Sequence, residues 1–268
     1  MSPSEEIQAK LKSTDLTGAL AACKAAIRKA PTDGDLRFML FQLLGLLADW
    51  EGASNQLVAY SELVGRQSPL PIIFNQVIQA EVRRKYIFQG EESPTIFGEP
   101  PAWIPYLLQA LTASARQQLG DAAALRQKAL EEAPAISGSI DGQPFSWIMD
   151  GDSRISILVE AIIHGQYYLL PQSRLRAIRM EPPTQARDAI WAAATLTLDN
   201  SSEISAFIPV RYPGAQSWTS DALKLARETA WESPVENFYL GNGQRVWMTD
   251  IGEHALLDTR EITFNPPA

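Results

Sequence analysis

"DLTGAL", residues Asp15 to Leu20, returns in altered form as "DWEGAS", Asp49 to Ser54. The two stretches stand 34 positions apart, the period of tetratricopeptide repeats, whose unit is a pair of helices joined by a short turn. In such a unit the aspartate caps the second helix, and the Gly-Ala pair lets the paired helices approach closely. "KAPTDGD" (Lys29 to Asp35) ends the first pair, with Pro31 where the next helix must begin. "LRQKALEEAP" (Leu125 to Pro134) repeats the ending of "AAIRKAP", and its Ala-Pro pair lies 103 positions beyond the first, close to three periods. Helices are therefore predicted near 4–12, 16–29, 35–47, 51–65, 71–89, 101–118 and 121–132, forming a helical repeat domain like that of tetratricopeptide proteins over 1–135. Stacked units of this kind bury their apolar stripes on one another and leave a concave face that commonly holds a peptide. Phe38, Phe41 and Leu44, at i, i+3 and i+6, are expected to pack between helices.

Beyond "APAISGSIDG" the chain changes character. "YYLLP", "ATLTL", "EISAFIPV", "QRVWMTD" and "HALLDTREITF" are short β-rich runs bounded by Gly, Pro, Asn and Asp. "ISILVEAIIHG" has helical apolar spacing and stops at Gly165, with His164 as its C-terminal residue, and "SDALKLARETAW" reads as a second helix. The fold class is α+β: the helical array followed by a smaller mixed domain with short antiparallel strands over 136–268.

The 268 residues are 46% apolar, enough to bury a sizeable core without staples. A net charge of −8 argues against a general phosphate-binding surface, so neither nucleic acid nor an anionic membrane is expected as a partner, though a local basic patch stays open. Cys23 is the only cysteine, which excludes an intrachain disulfide and a cysteine-based zinc cluster. The N-terminus has no apolar h-region, and "LRFMLFQLLGLLADW" (Leu36 to Trp50) is too short and too polar for a membrane span. A cytoplasmic location follows as the expectation.

The richest stretch for chemistry is "IDGQPFSWIMDGDSR", Ile140 to Arg154. It fails as an EF-hand, because no ligand follows Asp152 two positions on and position twelve from Asp150 is Ala161 instead of Glu. Asp150 or Asp152 capping a helix that begins near Ser153, with Arg154 paired to a carboxylate, is the structural alternative. A hydrolase using Asp141, Asp150 or Asp152 with His164 is the enzymatic one. His164 and His254 lack the spacing of a helical zinc motif, "GSIDG" does not match the nucleophile elbow, and "GNGQRV" lacks a third glycine; both glycine segments read as turns. No metal or cofactor is expected. Trp147, Tyr167 and Tyr168 are candidate apolar walls, and Arg211 in "IPVRYPG" is a rim charge or a partner for one of the aspartates.

"FQLLGLLADWEGASNQL", "IFGEPPAW", "IDGQPFSWIMDGDSR", "EAIIHGQYYLLP", "IPVRYPG" and "GQRVWMTDIGEHALLDTREI", in that order, closely resemble the ImpE family, also called SciE or TagJ, accessory proteins of bacterial type VI secretion systems. Where the family often has Ala between the two aspartates and Gly-Pro after the arginine, this chain has Gly151 and Ser156-Ile157. The resemblance implies a non-enzymatic cytoplasmic adaptor. Its partners would be the N-terminal helix of the small sheath subunit TssB and the ATPase ClpV, which dismantles contracted sheath. A groove of the helical array or its seam with the second domain would seat that helix, with Trp147, Asp150, Asp152, Arg154, Tyr167, Tyr168 and Arg211 as partner-binding or seam residues. The acidic chain would favour Lys or Arg on the helix's polar edge. Self-association and a purely structural scaffold remain alternatives.

Overall fold

The computed structural model describes residues 2–65 and 68–265. Seven helices fill the first half: α1 (Pro3–Lys12), α2 (Leu16–Lys29), α3 (Gly34–Leu46), α4 (Trp50–Val64), α5 (Leu70–Phe88), α6 (Ile104–Ala115) and α7 (Leu119–Glu132). Each of the seven helices expected over residues 1–135 forms, with ends displaced by at most three residues.

The 34-residue echo has a local cause. Asp15 and Asp49 cap α2 and α4 by accepting from the amides of Gly18 and Gly52 at 2.7 and 2.9 Å. The residue before each aspartate, Thr14 or Ala48, is in the left-handed region (φ 62° and 56°) and turns the chain back on itself. The glycines serve the cap and not the approach of neighbouring helices: a Cβ at Gly18 or Gly52 would lie 2.1 or 2.5 Å from the capping carboxylate. The following alanines, Ala19 and Ala53, are fully buried between paired helices, and Ala122 after the Gln117 turn (φ 61°) occupies the matching place in α7.

A short strand, β1 (Thr95–Ile96), unforeseen in the sequence, lies between α5 and α6. The others are β2 (Ser137–Ile140), β3 (Gln143–Phe145), β4 (Ile148–Asp150), β5 (Leu158–Ile163), β6 (Gln166–Pro171), β7 (Leu175–Met180), β8 (Trp191–Leu198), β9 (Glu203–Pro209), β10 (Thr229–Val235), β11 (Phe238–Gly243), β12 (Val246–Thr249), β13 (Gly252–Ala255) and β14 (Glu261–Asn265). Nine of them form one sheet in the order β1-β6-β5-β9-β8-β7-β14-β2-β3, antiparallel throughout except for β1 beside β6. A three-stranded sheet, β13-β12-β4, and a ribbon, β10-β11, complete the α+β fold.

Two expected helices are corrected. "ISILVEAIIHG" is the strand β5, all six of whose residues are buried; a run covered on both faces carries no alternation, so its periodicity could not distinguish strand from helix. His164 and Gly165, at φ 48° and 74°, form the tight turn into β6, the two-residue geometry that suits the twist of a hairpin. "SDALKLARETAW" retains only the four-residue helix α8 (Asp221–Lys224) before β10 starts at Thr229.

One apolar core joins helices to sheet. Phe38, Phe41 and Phe74 pack together in α3 and α5, and Phe74 meets Trp191 of β8 and Phe207 of β9 at ring separations of 6.1 and 5.7 Å. Phe41 and Leu44 are buried and Phe38 half-buried, so that stripe packs between helices. Among the described residues no helix is long and apolar enough to cross a membrane.

Candidate functional site

Between α5 and the sheet runs a chain of buried charges. Glu160 is the sole ionisable residue of β5, and its fully buried carboxylate accepts from Arg84 of α5 through Nε (2.6 Å) and Nη2 (3.0 Å). The Tyr167 hydroxyl donates to the same carboxylate at 2.7 Å, and Arg245, just ahead of β12, approaches it at 3.2 Å. Arg245 also donates to Asp150 of β4 at 2.8 Å. Glu81, one turn before Arg84, accepts from the Trp191 indole at 3.0 Å. Five elements and the segment ahead of β12 are thus fastened through side chains that hydrophobic packing alone would exclude.

The electrostatics follow from this enclosure. Burial pushes the Glu160 carboxyl up, but Arg84, Arg245 and the Tyr167 hydroxyl outweigh it and hold it below its ordinary range. For Asp150 burial wins over Arg245, and the carboxyl rises to about 6. Burial and the Glu160 charge push the Tyr167 hydroxyl well up.

Asp150 and Asp152 do not cap a helix, because turns, not a helix, follow Ser153. Each folds the chain on itself instead: Asp150 accepts from the Asp152 amide and Asp152 from the Arg154 amide, both at 2.8 Å. Asp152 also takes the Arg154 guanidinium at 2.9 and 2.5 Å and the Gly241 amide at 2.9 Å. Arg211 is neither a rim charge nor an aspartate's partner. It is buried, and donates to the carbonyls of Leu46 (2.6 Å), Gly45 (3.1 Å) and Lys224 (2.7 Å), which closes the C-terminal end of α3 against the sheet.

Asp150, Asp152, Arg154, Tyr167 and Arg211 therefore gather around this seam, whereas Trp147 and Tyr168 lie elsewhere. Trp147 is half-buried beside α7, lining a small hollow with Leu130 and Ile136. Tyr168, next along β6 from Tyr167, points to the opposite face and meets Phe97 edge-on at 5.5 Å. Asp141 is exposed and accepts from the amides of Arg260 and Glu261. His164 stands in the exposed β5–β6 turn, about 20 Å along the strand from the Asp150 end at roughly 3.3 Å per residue, so the aspartate and histidine pair of a hydrolase is not assembled.

Sequence reasoning missed Glu81, Arg84, Glu160 and Arg245. The signal for Glu160 was present: a lone carboxylate in "ILVEAII" is tolerable only with a buried cation opposite it.

A second feature lies on the helical half, where α6 and α7 leave an open groove of about 700 Å³. Leu108, Ala113, Ala124 and Leu125 give it an apolar floor, and Arg116, Asp121 and Lys128 stand at its edges.

These features define an α+β protein in which paired helices are clamped to an antiparallel sheet by buried ions, with a groove open on the helical side. The profile of the ImpE protein family matches residues 142–263, which include Asp150, Asp152, Glu160, Tyr167 and Arg245. A Pseudomonas aeruginosa protein named type VI secretion system accessory component TagJ is 39% identical over 256 residues, covering 96% of this chain and 90% of that relative. The chain belongs to the ImpE family. A crystal structure of a Vibrio parahaemolyticus protein superposes with a TM-score of 0.87 at 23% identity, over 97% of this chain and 98% of that one, and so has the same fold.

Proposed function

We propose that this protein is a cytoplasmic, non-enzymatic accessory component of a type VI secretion system that binds the N-terminal helix of the small sheath subunit TssB and assists ClpV-linked sheath recycling. Kinship with TagJ supports the system, and the α6–α7 groove is the observation that carries the mode of binding. An amphipathic helix laid in it would bury an apolar stripe against Leu108 and Leu125, each fully buried anchor contributing about 1.5–3 kcal/mol. Three or four anchors supply about 4.5–12 kcal/mol before ordering costs, so micromolar affinity, about −8 kcal/mol net, takes anchors at the upper end of that range. Arg116 and Lys128 outnumber Asp121 at the rim, so the groove selects a helix with an acidic edge, opposite to what the −8 net charge of the whole chain favours. Residues 1–135 then act as the recognition domain and 136–268 as the platform that braces it.

Titration calorimetry of the full chain with a synthetic TssB N-terminal helix tests this. Micromolar binding is expected, weakened more than about tenfold by Leu108→Glu or Leu125→Glu, each a loss of roughly one anchor. Affinity unchanged in both variants would remove the groove, and no binding by a helical peptide would remove the sheath partner.

A further inference from the structure

A separate cavity of about 180 Å³ opens where the end of α5 meets the turn that follows β9. Its wall carries four cations, Arg84, Lys85, Arg154 and Arg211, against one carboxylate, Glu81, in a chain whose net charge is −8. Arg84 and Arg154 rest on the same ring, their guanidinium carbons 5.4 and 5.5 Å from the centre of Phe88. Both like charges line the one hollow.

Their ion-pair partners lie behind them. Arg84 commits Nε and Nη2 to Glu160 and to the Arg211 carbonyl, and its Nη1 comes no nearer than 3.6 Å to Glu81. Arg154 commits Nε and Nη2 to Asp152, and among the described residues its Nη1 has no acceptor. The carboxylates of Glu160 and Asp152 have no exposure at all, so what the hollow presents is the positive side of each pair. Arg211 bonds only to backbone carbonyls, with no carboxylate in ion-pair range among the described residues. Burial pushes its guanidinium down to about 10, the response of a cation short of counter-charge.

We propose that this cavity binds a small oxyanion, the carboxylate or phosphate group of a small molecule, held by Arg84, Arg154 and Lys85. With both guanidinium forks spent on Glu160 and Asp152, the Nη1 groups of Arg84 and Arg154 and the Lys85 ammonium are the charge-assisted donors left for such a group. A water-sized occupant needs roughly 10–15 Å³ on this measure, so 180 Å³ admits an anion of several heavy atoms, with Trp50 and Tyr212 supplying apolar wall for a short carbon segment. The site is distinct from the α6–α7 groove and stands or falls without it.

Calorimetric titration of the full chain with malonate and, separately, inorganic phosphate at constant ionic strength provides the test, with sodium chloride as control. Saturable one-to-one binding of one probe is expected, together with a raised melting temperature. Malonate binding with phosphate silent assigns a carboxylate ligand, and the converse a phosphate. Lys85→Gln removes the charge of an exposed rim residue and should weaken binding by about tenfold in a chain that stays folded. Arg154→Lys, which keeps a positive charge and removes the Nη1 donor, should weaken it as well. Saturation by neither probe at tens of millimolar, or affinities that both variants leave unchanged, would overturn the assignment.

Discussion

Replacing Glu160 by Gln changes one oxygen for an amide and removes the negative charge on which Arg84, Arg245 and the Tyr167 hydroxyl converge. The amide oxygen can still accept from Arg84 or Tyr167, but its NH2 group faces a guanidinium and has no acceptor there. Arg84 is left with Glu81 at 3.6 Å and Arg245 with Asp150 at 2.8 Å, so two buried cations share less counter-charge. Breaking a buried pair by removing one member costs about 3–5 kcal/mol, because the survivor stays desolvated. At about 2–4 °C per kcal/mol for a chain of this size, the melting temperature should fall by roughly 6–20 °C. Urea unfolding at pH 7.5 followed by far-UV circular dichroism gives the free energy directly, and the double variant Glu160→Met with Arg84→Met separates pairing from packing. The double variant should lose less than the sum of its singles, since it leaves no orphaned partner. A Glu160→Gln loss under 1 kcal/mol, or strict additivity in the double variant, would refute the view that these charges clamp helix to sheet.

Other outcomes follow from the same geometry. Because the Asp150 carboxyl is raised to about 6 in the folded chain, its contribution to stability is present below the unfolded value and is lost as pH climbs through about 6. Asp150→Asn should therefore gain on the wild type between pH 4.5 and 7.5 in urea titrations; a variant that loses ground over that interval contradicts the assignment. Glu160, held low, has the opposite sign, its contribution disappearing as pH falls through its depressed value. Asp15→Ala and Asp49→Ala should each cost about 1 kcal/mol, as lost helix caps do, and a neutral result in thermal unfolding would dissociate the repeated motif from stability. Cys23 is buried with its thiol pushed up to about 11, so a thiol reagent at pH 7.5 should label it only as α2 opens; labelling at the rate of a free thiol would show the first hairpin to be open.

What the sequence determined by itself was local. Most helices of the first half were legible because they carry their own start signals: Asp15, Asp33 and Asp49 cap α2, α3 and α4, and a proline opens α1, α5 and α6. The turns at Asp141-Gly142 and His164-Gly165 are equally local, although the apolar spacing before "IIHG" also fits the end of a helix. The tertiary structure decided what distance along the chain conceals. β5 is buried on both faces, Leu158 and Ile162 in the core shared with the helices and Val159, Ala161 and Ile163 in the core among the strands, a condition its apolar run could not declare. Asp150 pairs with Arg245, 95 residues away, and Glu160 with Arg84, 76 residues back. Spacing carries no information about such pairs, since a buried charge is stabilised by whichever opposite charge the fold delivers to it. The same holds for the hollow beside Phe88, whose cations come from three separate segments and become one site only when α5 docks on the sheet.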